Sequence, residues 1–157
     1  MDAATRERLV SRYKDGYRVV AEALAGATDR ELDAHPAPRK WSARQIVHHL
    51  ADSEMTSAIR LRLLLAADRP QIAGYDQDEF ARQLHYDRPI EASLAAFKAA
   101  RQTTAELLDR MSEAAWARTG THSESGAYSV VRWLEIYAAH AHDHADQIRV
   151  ARRSARP

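Results

Sequence analysis

Apolar positions recur at spacings of three and four in four separate stretches of the chain. Leu9, Tyr13, Tyr17, Val20 and Leu24 form the first stripe, which predicts a helix ending near Gly26. A polar connection carrying His35, Pro36 and Pro38 follows. The second stripe is Ile46, Leu50, Ser53, Ser57, Leu61 and Leu64, and its start is marked twice. Ser42 and Gln45 fit a capping box, and Trp41 and Ile46 stand at the two positions of a hydrophobic staple. The stripe stops before Pro70, because proline lacks the N–H that a helix interior needs.

The stretch from Arg69 to Arg88 is a long connection for a compact domain, with a short helix expected around Asp78 to Leu84. A third helix from near Pro89 places Ile90, Leu94, Phe97, Thr104, Leu108 and Met111 on one face, with Arg101 as the one charged interruption. Gly120 and Gly126 bracket a loop. Ser129 then caps a fourth helix running to about Arg153, with Tyr128 and Trp133 as its staple pair. Four helices with one apolar stripe each are best satisfied around a common core, so an all-α four-helix bundle is expected. One domain over residues 1–157, with a long crossover between the second and third helices, accounts for the whole pattern.

Composition narrows the function classes. The formal charge is +1, from 23 basic and 22 acidic side chains spread along the chain, so no field is built for nucleic acid or an anionic membrane. Arg149, Arg152, Arg153 and Arg156 form a basic cluster that reads as a solvated helix end. Cysteine is absent, which excludes disulfides, a thiolate metal site and a cysteine nucleophile. No apolar leader or membrane-length segment is seen, and a cytoplasmic location is the expectation.

What remains distinctive is histidine. At about 100° per residue, His140 and His144 sit about 40° apart on the fourth helix, within the face made by Trp133, Ile136, Tyr137 and Ile148. His142 falls near the opposite side and is expected to be wet. On the second helix His49 lies about 75° from the stripe's centre and His48 nearly opposite it, which makes His49 the inward candidate. Two readings stay open. The inward rings are either hydrogen-bonded core histidines or ligands of a shared metal, since neighbouring bundle helices pack about 8–10 Å apart and two imidazoles bridge that span through an ion. His35, His85 and His122 fall in connections and are expected to be exposed; His122, in the loop entering the fourth helix, is placed to line the rim of a pocket.

The segment Trp41-Ser42-Ala43-Arg44-Gln45-Ile46-Val47-His48-His49-Leu50-Ala51-Asp52-Ser53 resembles the second-helix signature of the DinB/YfiT-like superfamily. The stretch Tyr137-Ala138-Ala139-His140 through His144-Ala145-Asp146-Gln147-Ile148 resembles its fourth-helix signature. The likeness is closest to the YfiT branch, described as metal-dependent hydrolases. It implies an up-down-down-up bundle and one divalent ion per chain, nickel or zinc, on His49, His140 and His144. It further implies a small-molecule substrate, a homodimer and, in several relatives, S-transfer with a low-molecular-weight thiol as cosubstrate. Three departures bear on substrate choice: Glu54 stands where another histidine is often found, Ser123 replaces a proline, and Gln147 replaces a third histidine. The expected function is a metal-dependent hydrolase or thiol S-transferase in which the ion activates water or a thiol. The alternative is a non-catalytic metal-binding or stress-associated bundle.

Overall fold

The computed structural model describes residues 1–155, so Arg156 of the basic cluster lies outside the described residues. The chain opens with α1, Ala3–Leu24, capped by the Asp2 carboxylate accepting from Thr5 N–H at 2.8 Å. It ends two residues before Gly26, which takes φ +64°. A short helix α2, Asp29–Asp33, then occupies the polar connection, held by a reciprocal capping box between Thr28 and Glu31. Helix α3, Ala43–Ala66, begins at the expected box, with Gln45 N–H donating to Ser42 Oγ and Ser42 N–H to Gln45 Oε1.

The crossover contains strand β1, Gln71–Ile72, and helix α4, Gln77–Gln83, where the short helix was expected. Helix α5, Glu91–Leu108, starts two residues after Pro89 with Ile90 at its N-cap, and Met111 lies beyond its end, packed against the core from the following turn. A four-residue helix α6, Glu113–Trp116, precedes two strands, β2 (Thr119–His122) and β3 (Gly126–Ser129), and the chain finishes in α7, Val130–Arg153, capped by Ser129.

The long helices run up, down, down, up. Along α1 and α7, Tyr13 meets Trp133 and Arg152 reaches the carbonyls of Ala23 and Ala25, so these two are parallel. Along α3 and α5, His48 meets Ser93 and Arg62 meets Thr104, so these are parallel too. His49 facing His140 while Trp133 reaches the Ser57 carbonyl makes α3 and α7 antiparallel. The crossover after α3 is what allows two successive helices to point the same way.

The loop bracketed by glycines is a β-hairpin, not an irregular connection. Its strands pair antiparallel from Thr119–Ser129 to His122–Gly126, and Gly126 closes the three-residue turn at φ +74°, where a side chain is strained. The crossover joins as a third strand, with β1 parallel to β2. At Gly120 the Pro70 carbonyl comes so near that an added Cβ would stand 2.5 Å from it. Ser123, the residue in place of a proline, fastens this junction: its N–H donates to the Ile72 carbonyl at 2.9 Å and its hydroxyl accepts from Gly74 N–H at 2.8 Å. A proline lacks both groups.

The buried apolar side chains form two clusters. One contains Val20, Leu24, Ile46, Leu50, Phe97 and Ile148; the other contains Leu61, Leu64, Leu108, Trp133 and Leu134. Between them on α3 lie Ser53, Glu54 and Ser57, which with Arg101 and Thr104 of α5 make a buried polar layer. Arg101, which breaks the apolar pattern of its helix, is therefore not a surface interruption. It is 1% exposed and pairs with Glu54 at 2.7 Å. No helix among the described residues is long and apolar enough to cross a membrane.

Candidate metal centre

His49 on α3 and His140 and His144 on α7 come together at the margin of the core. Nε2 of His140 lies 3.2 Å from Nε2 of His49 and 3.2 Å from Nε2 of His144. The three donor atoms all lie within 4.8 Å of one another, the one such group of metal-ligating side chains among the described residues. Two nitrogens each about 2.0–2.1 Å from one ion are about 2.9 Å apart at a right angle and about 3.3 Å apart at the tetrahedral angle. The 3.2 Å spacings fall between these values.

The centre of the buried face of α7 is Trp133, Leu134, Ala138, Ala141, Ala145 and Ile148, so His140 and His144 sit at its edge and are half-buried. Alanine at 141 and 145 lets α7 approach its neighbours closely and leaves the imidazoles to fill the seam with α3.

Burial keeps all three rings uncharged near neutrality. It pushes His49 down to about 3, with the neighbouring His144 adding to the effect. His140 is held well below the ordinary histidine range by burial and then by His144 and His49. Burial lowers His144 as well, against the opposing effect of its hydrogen bond to Gln147. A neutral ring has one donor and one acceptor nitrogen. For His144 the assignment follows from its partner: Nδ1–H donates to Gln147 Oε1 at 2.9 Å, leaving a lone pair on Nε2. Gln147, in the place of a third family histidine, thus orients the ring of the second.

His48 shows what a structural core histidine looks like in this protein. It was expected to face away from the stripe and is instead fully buried. Its Nδ1 accepts from Ser93 Oγ at 2.7 Å and its Nε2–H donates to the Arg88 carbonyl at 2.9 Å, while Tyr86 of the crossover packs on the ring. Both ring nitrogens are satisfied. In the three-histidine group the Nδ1 atoms of His49 and His140 are buried without a partner, and the Nε2 atoms face one another. Three neutral rings that aim their Nε2 atoms at one another satisfy few of their own hydrogen bonds, and a shared cation accepts all three lone pairs.

The other histidines are placed as follows. His142 is half-buried rather than wet, on the α1 side, and donates to the Arg12 carbonyl at 2.9 Å, away from the group. His35 and His85 are exposed as expected. His122 is 8% exposed, contrary to the default for a connection, because it ends strand β2 and stacks on Tyr128. Its Nδ1 accepts from Glu124 N–H at 3.2 Å, which places the proton of the neutral ring on Nε2.

His49, His140 and His122 line one cavity of about 300 Å³, together with Arg60, Tyr75, Glu124, Tyr128 and Tyr137. The volume is that of a small-ligand site. A larger cavity of about 590 Å³ lies beyond Trp41 and Gln147 and holds none of the three histidines. Trp41 is the wall on that side, its ring 4.8 Å from that of His49. Arg60 and Tyr75 gave no signal as site residues in the sequence, since their place depends on the crossover folding over α3. Glu54 is 1% exposed and committed to Tyr13 and Arg101, so it is not a fourth donor.

Residues 12–148 match the profile described as the DinB superfamily. A protein of Oceanobacillus iheyensis named "Putative metal-dependent hydrolase" is 34% identical over 139 residues, spanning 88% of this chain and 81% of its own. A Bacillus mycoides protein of the same name is 27% identical over 142 residues, spanning 90% and 82%. The fold matches that of YfiT from Bacillus subtilis with a TM-score of 0.90 at 26% identity, covering 98% of this chain and 89% of the other. YfiT is described as "a probable metal-dependent hydrolase with an unusual four-helix bundle topology". With the profile spanning most of its length and the bundle order shared, the chain belongs to the DinB superfamily.

Proposed function

We propose that this protein is a metal-dependent enzyme that holds one divalent ion, nickel or zinc, on Nε2 of His49, His140 and His144, and acts as a hydrolase or thiol S-transferase on a small molecule. The observation that carries the reading is the convergence of three neutral imidazoles on one point beside a cavity. An ion bound there supplies a Lewis acid that lowers the pKa of water towards 7 or deprotonates a thiol. No fourth side chain joins the three among the described residues, which supports an open position for substrate over a closed structural site.

The chain's own residues divide the remaining work. Gln147 fixes the tautomer of His144, and Trp41 closes the side of His49 away from the cavity. His122 brings an N–H donor to the cavity lining. The phenols of Tyr128 and Tyr137 are raised above their ordinary value, mainly by burial, so they stay protonated and serve as hydrogen-bond donors. With no cysteine in the chain, a thiol nucleophile has to come from a cosubstrate.

Elemental analysis of protein purified without an affinity tag tests the site. One ion per chain is expected, lost in His49→Ala, His140→Ala and His144→Ala with helical content unchanged, and retained in His142→Ala. Retention by the His140 and His144 variants overturns the assignment. Gln147→Ala is expected to weaken the affinity for zinc about 10- to 100-fold, the usual cost of removing a group that orients a ligand; an unchanged affinity in a competition titration refutes that role. Conjugation of monochlorobimane to added thiols, with and without the ion, separates S-transfer from hydrolysis.

A further inference from the structure

Among the described residues two arginines are buried, and only one has a counter-charge. Arg101 is neutralised by Glu54. Arg60 is 9% exposed, and its hydrogen bonds go to neutral groups: Nη1 to the Tyr137 hydroxyl at 3.1 Å and Nη2 to the Ala73 carbonyl at 2.7 Å. Its Nε is buried with no partner at all. The guanidinium packs 5.7 Å from the Tyr75 ring centre, and Arg60, Tyr75, Tyr128 and Tyr137 all line the cavity that His49 and His140 also line. Glu124, the one carboxylate of that lining, is exposed on the hairpin turn and makes no ion pair with Arg60.

A buried cation without a counter-charge is costly to keep, and its cost is removed when an anion takes up its free donors. The planar guanidinium fork matches a carboxylate, and one uncompensated positive charge matches one negative charge. The Tyr137 hydroxyl already accepts from Arg60, so its own proton is free to be directed onward, to Tyr128 beside it or to a ligand oxygen.

From this we infer that the cavity takes a small substrate bearing a carboxylate, anchored on Arg60 with the Tyr137 and Tyr128 hydroxyls, while another part of the same molecule faces the three histidines. The inference rests on the proposed function only for what happens at the histidines; the anchor itself needs no ion. Arg60 is a specificity-determining residue that holds the anionic end.

The experiment measures equilibrium binding of acetate, butyrate and benzoate, their neutral amides, and inorganic phosphate, by calorimetry or ligand-observed NMR, on chelator-treated protein and on zinc-loaded protein. The carboxylates are expected to bind at least tenfold more tightly than the amides and phosphate in both preparations, and Arg60→Gln is expected to erase the preference. Equal binding of acids and amides, a preference for phosphate, or a preference that survives in Arg60→Gln overturns the inference. So does carboxylate binding that requires zinc, which places the anion on the ion instead. Should Arg60→Gln fail to fold, acid-over-amide selectivity of the unsubstituted chain and its reduction in Arg60→Lys, which keeps the charge and loses the fork, decide the matter. A failure of the metal assignment leaves binding to the chelated protein unchanged, so the two readings fail separately.

Discussion

Arg101→Ala is expected to cost the bundle about 3–5 kcal/mol, the usual consequence of removing one partner from a buried ion pair. The guanidinium donates to Glu54 Oε2 from Nε at 3.2 Å and from Nη2 at 2.7 Å, and also to the backbone carbonyls of Tyr13 and Tyr137. It lies 4.2 Å from the Tyr13 ring centre, and the Tyr13 hydroxyl donates to the other oxygen of Glu54. One residue thereby ties α1, α3, α5 and α7 together. Alanine leaves the Glu54 carboxylate buried, 1% exposed, with Tyr13 as its remaining partner. Against the roughly 5–15 kcal/mol typical of a folded domain, this is a large fraction. Glu54→Leu combined with Arg101→Met removes both charges and is expected to recover most of the loss, because an apolar pair has no desolvation cost to offset. Urea unfolding of Glu54→Leu, Arg101→Met and the double variant gives the coupling energy directly. A loss under about 1 kcal/mol in Arg101→Ala refutes the role.

The same pair shows where the sequence was legible and where it was not. Helix positions were readable because stripes, caps and staples are local: Ser42–Gln45, Ser129 and the stop before Pro70 each mark an end without reference to the rest of the chain. The grouping of His49 with His140 and His144 followed from the same stripes, since inward faces of a bundle converge. Arg101 looked like an interruption because one helix read alone does not reveal that its partner, Glu54, sits 47 positions earlier on another. His48 was misplaced for a related reason. An apolar stripe marks one buried face, but α3 packs on α7 with one side and on α5 and the crossover with the other, and that second face is polar, satisfied by Ser93 and Arg88. The hairpin and β1 were missed because a pairing of Gln71 with Thr121 is non-local and each strand is at most four residues long. Helix α2 lay where only a polar connection was expected, although its capping box, Thr28–Glu31, is written in the sequence as T-x-x-E.

These distant pairings are what complete the site. Arg62 and Trp133 fix α3 against its neighbours, but the cavity beside the histidines exists only because the crossover brings Tyr75 over α3 and the hairpin brings His122 and Tyr128 over α7. The link between them is the short sheet and the two Ser123 hydrogen bonds. The bundle thus supplies the three imidazoles with Arg60 and Tyr137, while the crossover and the hairpin supply Tyr75, His122 and Tyr128 as further walls of the cavity.

The metal-free protein is expected to lose stability steadily as the pH falls below about 6.5, in a range where most carboxylates are still ionised. Four histidines are held below their ordinary value by burial: His49 at about 3, His140 well below, and His48 and His144 lowered. In the unfolded chain each takes up a proton near pH 6.5, whereas in the folded chain it stays neutral to lower pH. Between those two values the unfolded state binds more protons, so the free energy of unfolding rises with pH and falls on acidification. Each such histidine contributes a slope of up to about 1.4 kcal/mol per pH unit, beginning at its unfolded pKa and ending at its folded one. Above pH 7 the histidine contribution is complete and no longer changes with pH. Zinc bound at the proposed site is expected to shift the whole curve upward, because an ion that binds only the folded state stabilises it by mass action, and protons must displace it before the rings charge. Urea unfolding of chelated protein between pH 7.5 and 5.5 tests the slope, and replacing His140 with leucine should make it shallower by about one histidine's share. A stability independent of pH across that interval shows that the rings take up protons at the same pH folded as unfolded, and rings held neutral by burial then cease to be the basis of the site.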